Sequence, residues 1–209
     1  MYKIQSLSLC KCEVTTLKIG CVVLAAGNAR RFGSNKLKAQ VDGASLIRRA
    51  LDAVPSGLVT VVVSQYPEIL ALAGECGFEA VLNDQPGLGL SRSVRLGLEK
   101  LLDCDGVLFL VADQPWLKRD SAEALAALWA QNPGRIAAMA HGGVRGNPCL
   151  FPARFYPELL ELTGDRGGSA VIRRHEDALI LLETDALELA DVDTPAALEQ
   201  ARQAKTSEI

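Results

Sequence analysis

Apolar positions along this chain fall into two alternating kinds of segment. Runs rich in valine and leucine occupy 19–25, 58–64 and 107–111, with shorter ones at 78–82 and 136–140. Runs so dominated by apolar and β-branched residues mark strands buried on both faces, as in a parallel sheet. Between them lie segments with helical spacing. Ser45 stands as cap before a helix over 46–53, with Leu46, Ile47, Ala50, Leu51 and Val54 on one face. Pro67 opens a helix to about Gly74, and Gly87, Gly89 and Ser91 form a loop and cap for a helix to about Leu102. Asp120 and Glu123 have capping-box spacing before an alanine-rich helix ending near Gln131.

The second half is less regular. A glycine-rich stretch covers 142–149, and Cys149-Leu150-Phe151 begins an extended piece. Helices are predicted over 154–162 and 168–175, strands over 178–182 and 187–192, and a last helix with Thr194 as cap and Pro195 in its first turn. Strands alternating with helices predict an α/β, doubly wound, mostly parallel sheet, with ligands beyond the strands' carboxyl ends. Residues 1–18 read as an N-terminal extension, and 19–205 as a single domain.

Composition narrows the class. The 209 residues are 49% hydrophobic with a net charge of −3, ample for a core and too acidic for a dedicated nucleic-acid binder. No run reaches transmembrane length, and the N-terminus lacks a signal-peptide h-region, so the expected setting is the cytoplasm, with no membrane partner. Cys10 and Cys12 are too close for a zinc knuckle, and the six cysteines are expected to be free thiols.

Against that acidic background, four cations crowd into residues 30–38: Arg30, Arg31, Lys36 and Lys38. They follow VVLAAG, a strand ending in small residues whose backbone a ligand can approach closely. Arg31 offers a two-pronged grip on phosphate, and Lys36 a mobile point charge. The spacing from Gly27 to Gly33, and a Lys36 that follows no glycine, exclude a Walker A loop. Gly27-Asn28-Ala29 excludes the dinucleotide fingerprint.

Two carboxylate groups sit at equivalent places. Asp113 follows the strand over 107–111 directly, where it can hold Mg²⁺ or cap a helix. Asp191 and Asp193 are two apart in an extended segment and so face one way, unless Asp193 merely caps the last helix. The loops Gly87-Leu88-Gly89-Leu90-Ser91 and Gly164-Asp165-Arg166-Gly167-Gly168 have the make-up of anion-binding turns.

These segments together resemble a known family. LAAGNARRFGSNK is similar to the LAAG-x-S-x-R-[FM]-G-x-x-K signature of nucleotidyltransferases that activate sugars, sugar-like acids or cofactors. GLGLSRSVRLGL and VADQP resemble that group's next two motifs. GNPCLFPARFYPELLELTGDRGGSAVIRRH and DVDTPAAL resemble the molybdenum cofactor cytidylyltransferase branch of the MobA-like NTP transferases. The motifs run in order from about 19 to 200. Asn28, Arg92, Asn147 and Ala39-Gln40-Val41 depart from the usual serine, leucine, histidine and Leu-Leu-Pro.

The resemblance implies a Rossmann-like fold of the nucleotide-diphospho-sugar transferase type, with a nucleotide-binding half (19–115) and an acceptor-binding half (116–205). It implies transfer of CMP from CTP to the terminal phosphate of molybdopterin, with release of pyrophosphate. Leu24, Ala25, Ala26, Gly27, Asn83, Gly89 and Ser91 would bind the nucleotide. Arg31 and Lys36 would hold the triphosphate, and Asp113 with Asp193 would hold Mg²⁺, or Mn²⁺ in its place. Asn147, Asp165 and Arg166 would face the acceptor. Guanylyl-transferring relatives typically carry LAGG, so Ala26 favours cytidine. The product's client would be a molybdenum hydroxylase. The alternatives are a guanylyl- or sugar-activating enzyme of the same fold, and a non-catalytic cofactor carrier.

Overall fold

A computed structural model describes residues 17–27, 35–194, 196, 197 and 199. Seven strands form one sheet in the order β5-β4-β1-β6-β8-β7-β9. These are β1 (Ile19–Leu24), β4 (Val59–Ser64), β5 (Glu79–Leu82), β6 (Gly106–Val111), β7 (Ile136–His141), β8 (Val144–Pro152) and β9 (Leu179–Glu183). A two-stranded ribbon of β2 (Gln40–Val41) and β3 (Ala44–Ser45) stands apart. β1 pairs in parallel with β4 and β6, β4 with β5, and β7 with β9, whereas β8 runs antiparallel to both neighbours. The mixed, mostly parallel sheet is the expected one.

Period-two alternation divides the core. Cys21 and Val23 pack on one face with helices α1 (Leu46–Asp52), α2 (Pro67–Glu75) and α4 (Arg119–Ala130). Val22, Val61 and Val63 pack on the other with α3 (Leu90–Leu98), α5 (Tyr156–Leu160) and α6 (Ser169–Ile172). The chain runs β1, β4, β5 outward and then returns to β6 on the far side of β1. That reversal leaves a crevice beyond the carboxyl ends of β1 and β6, where doubly wound sheets bind ligands.

Several elements differ from the sequence reading. The glycine-rich stretch is largely strand: Gly142 and Gly143, both at positive φ, make a two-residue hairpin turn into β8. Residues 187–192 form no strand. Asp185 accepts a hydrogen bond from the Leu187 N–H at 2.9 Å and winds Ala186–Leu189 into a 3₁₀ turn. The capping box at Asp120 and Glu123 does not form. Lys118 is the cap residue of α4, and Glu123 instead accepts the Ser56 N–H. α3 is capped by Gly89 rather than Ser91 and ends at Leu98 rather than Leu102. The helices expected over 154–162 and 168–175 shrink to α5 and α6. Thr194 does accept the Ala197 N–H at 3.0 Å, as its capping role requires; Pro195 lies outside the described residues. So do Cys10 and Cys12; Cys21, Cys76, Cys104 and Cys149 are free thiols. Among the described residues no helix is long and apolar enough to cross a membrane.

One buried carboxylate fixes the segment that leads to the C-terminal aspartates. Glu188 is 3% exposed and accepts hydrogen bonds from the Lys118 N–H, Ser121 Oγ and Thr184 Oγ1. It thereby joins the start of α4, the end of β9 and the 3₁₀ turn. Glu188→Ala strands three donors, and we expect it to cost about 2–4 kcal/mol in urea denaturation. A loss below measurement error would show that water replaces the carboxylate without penalty.

Candidate active site

The crevice between the β1 and β6 strand ends opens into a cavity of ≈510 Å³. Leu24, Ala26 and Gly27 line it from β1, and Val111 and Asp113 from β6. Pro86, Gly87, Gly89, Leu90 and Ser93 come from the loop and first turns of α3; Asn147, Asp165 and Asp191 complete it.

Its charged corner is built from three distant segments. Asn35 caps the single turn Lys36–Lys38 by accepting the Leu37 N–H, and Leu37 is buried, so the stem of Lys36 starts from a fixed point. The Lys36 Nζ lies 2.8 Å from Asp113 Oδ2 and 2.8 Å from Asp193 Oδ1. Burial alone would lower the Lys36 pKa. The charge and hydrogen bond of Asp113, joined by those of Asp193, outweigh it and raise that pKa above the usual lysine value. The ammonium is therefore fully charged at neutral pH.

Val192 holds the two carboxylate segments together. Its side chain is wholly buried, and its N–H donates to the Asp113 carbonyl at 2.9 Å. With Val192 turned inward, Asp191 and Asp193 both project outward, as a period of two demands. Gln114, buried beside Asp113, adds a second tie by donating to the Leu189 carbonyl at 3.1 Å. Asp191 remains open to the cavity, yet its pKa is raised, first by partial desolvation and then by the negative charge of Asp113.

A second cavity of ≈270 Å³ adjoins the first and shares Leu24, Leu90, Val111, Asn147 and Asp165 with it. Its floor is apolar, with Phe109 and Phe151 in an edge-to-face pair at 5.9 Å, and Arg166 and Arg173 stand on its rim. The three residues expected at the acceptor, Asn147, Asp165 and Arg166, all meet here.

Not every expected nucleotide residue faces the cavity. Ala25 is buried in the sheet: its N–H donates to Val63 and its carbonyl accepts from Ser64 Oγ, so both backbone groups are used. Asn83 is buried and spends its amide on Ser93 Oγ and the Gln85 N–H, supporting the loop from beneath. Ser91 is also buried, and its N–H donates to the Gly164 carbonyl at 3.1 Å. The Gly89 N–H goes to Pro86, so the loop at α3 offers fewer free donors than its glycines promised. Arg92 is a local brace that pairs with Asp84 at 3.0 Å. Arg31 and Asn28 lie outside the described residues. Sequence reasoning missed Ser93 and Gln114. Ser93 sits two residues beyond Ser91 on the turn of α3 that meets the cavity, and the buried side of the Asp113 turn singles out Gln114.

The model of the MobA-like NTP transferase domain matches residues 21–179. The purine catabolism protein PucB of Bacillus subtilis is 29% identical over 198 residues, covering 88% of this chain and 95% of that protein. A phosphoenolpyruvate guanylyltransferase of Sphaerobacter thermophilus is 33% identical over 159 residues, 72% of each chain. Among solved structures, an Rv0371c homologue from Mycobacterium sp. strain JC1 superposes with a TM-score of 0.77 at 25% identity, covering 92% of this chain and all of that one. Rv0371c of Mycobacterium tuberculosis in complex with manganese gives 0.73 at 20% identity, over 90% and 99%. The molybdopterin-guanine dinucleotide biosynthesis protein A of Archaeoglobus fulgidus gives 0.67 at 16%, over 90% and 99%, a likeness of fold. A cavity at the topological reversal and a match spanning most of the chain lead to one conclusion: this protein belongs to the MobA-like NTP transferase family and is a nucleotidyltransferase.

Proposed function

We propose that the protein transfers CMP from CTP to the terminal phosphate of molybdopterin and releases pyrophosphate. The observation that carries the reading is the meeting of Lys36 with Asp113 and Asp193 at the mouth of a cavity walled by Ala26 and Gly27. Nucleotidyl transfer needs fixed positive charge for a triphosphate, a place for a divalent cation, and room for base and ribose against a small-residue wall. The resemblance of residues 146–175 to the molybdenum cofactor branch supports the acceptor, and Ala26 supports the base.

Asp113 and Asp193 fit a divalent metal. They are hard oxygen donors that converge on one positive charge, and Mg²⁺ is commonly held by one or two carboxylates together with substrate phosphates. The manganese complex of Rv0371c supports divalent metal use here. When bound, such a metal neutralises charge on the phosphates. Ala26 and Gly27 let the nucleotide approach the backbone, and Lys36 offsets triphosphate charge. Asn147, Asp165 and Arg166 orient the acceptor so that its phosphate oxygen attacks the α-phosphorus in line. The bond to the bridging oxygen breaks and pyrophosphate leaves. Positioning and charge carry the reaction, so no nucleophilic side chain is required. In this reading residues 19–115 supply the nucleotide side and 116–205 the acceptor side, except that Asp191 and Asp193 join the former. The reaction belongs to the cytoplasm, and the product serves a molybdenum hydroxylase.

A second reading, guanylyl transfer, is favoured by the Sphaerobacter thermophilus relative, named as a guanylyltransferase. Incubation with Mg²⁺, molybdopterin and each nucleoside triphosphate in turn separates the two. Pyrophosphate is expected with CTP alone. Release with GTP alone would overturn the argument from Ala26. Tight pterin binding without pyrophosphate would identify a carrier instead.

A further inference from the structure

We infer that Lys36 is an exclusion cation: it holds the Asp113–Asp193 pair closed to a free divalent metal, so the metal enters only with the triphosphate that draws the lysine away. The two carboxylates come from the end of β6 and from the segment beyond β9, and both reach the same ammonium at 2.8 Å. A divalent cation on those oxygens would sit at about 2.0–2.1 Å from each, within the space that the ammonium fills. Two positive centres cannot share it without strong repulsion.

The lysine is also well held. Its side chain is only 12% exposed, and its stem leaves a turn fixed by Asn35 and buried Leu37. Metal alone must displace this ammonium and gives it no new anion. A triphosphate entering the adjoining cavity does, because its oxygens can receive the lysine while the metal takes the carboxylates. Linkage then requires each ligand to raise the other's affinity. Neutral substitution at Lys36 should have the opposite consequence. It takes away the positive charge that lies 2.8 Å from both carboxylates, with Asp191 on the same cavity, and so opens that position to a metal independent of nucleotide.

The inference takes the identity of the triphosphate from the nucleotidyl-transfer reading, but the exclusion itself is read without turnover. The full chain is titrated with Mn²⁺ alone, and free Mn²⁺ is counted by electron paramagnetic resonance. Lys36→Gln is expected to bind Mn²⁺ about tenfold more tightly than wild type or better. Lys36→Arg keeps the charge and should stay as weak as wild type. Adding Asp113→Asn to Lys36→Gln should abolish the gain. Thermal melting checks each variant, and Lys36→Met, which preserves the apolar stem, replaces the glutamine variant if that one fails to fold. Equal Mn²⁺ affinity in wild type and the neutral variant, or a gain that survives Asp113→Asn, overturns the proposal. A gain in Lys36→Gln, combined with a wild type that makes no pyrophosphate from any nucleoside triphosphate, upholds the exclusion and sinks the reaction.

Discussion

Asp113→Ala is expected to lower pyrophosphate release by about a thousandfold while leaving the fold intact. Among the described residues the side chain serves the charged corner: its Oδ2 accepts from Lys36, and it lines the cavity. The backbone of the same residue does the structural work, because its carbonyl accepts the Val192 N–H, and alanine keeps that bond. The substitution thus removes one of two carboxylates that oppose Lys36 and leaves intact the tie that positions the other. The check pairs steady-state pyrophosphate release with a thermal melt. Activity within tenfold of wild type would remove Asp113 from the reaction, and a melt lowered as far as in a core mutant would show the side chain to be structural.

Gly89→Ala is expected to destabilise the protein by about 2–4 kcal/mol and to impair turnover as well. Gly89 has φ 87°, a conformation that side-chain-bearing residues rarely adopt, and an added Cβ would lie 2.4 Å from the Gly164 carbonyl carbon and 2.7 Å from the Asp165 nitrogen. Those neighbours are backbone and cannot swing aside. The contact belongs to a seam in which the Ser91 N–H donates to the Gly164 carbonyl, so the loop before α3 and the loop bearing Asp165 lean on each other. Forcing them apart moves residues that line both cavities. Gly87→Ala is the control: a Cβ there meets nothing within 4 Å, and the expected change is within about 0.5 kcal/mol. Equal melting of the two variants would refute the seam.

Much of this was legible from pattern alone, and most of the differences come from partners distant in the chain. The runs at 19–25, 58–64 and 107–111 are strands because short stretches so rich in apolar and β-branched residues suit a sheet covered on both sides. Their alternation with helical segments gave the doubly wound sheet, and hence a crevice beyond Leu24 and Val111. Asp113, Lys36 and Asp193 stood out as charges at strand ends or beside small residues, and the structure brings the three side chains together. Gln114 was not, since its donor goes to Leu189, 75 residues away. Lys118, held at the head of α4 by Glu188, follows from a partner that local spacing does not reveal, whereas Asp185 breaks the strand through a local bond from Leu187, two residues on. Ala25, Asn83 and Ser91 have the right residue types for a nucleotide loop, but the sheet and the Gly164 loop use their polar groups first.

The sequence by itself determined the layered α/β architecture, the end of the sheet where the cavity opens, and the residue types available there. These follow from periodicity and from the cost of burying charge, both local properties of the chain. Only the tertiary structure decided that β8 runs antiparallel, that the two cavities adjoin, and that one ammonium stands between two carboxylates from segments far apart in the chain. Those are distances between segments far apart in the chain, and they are set by how both faces of the sheet pack.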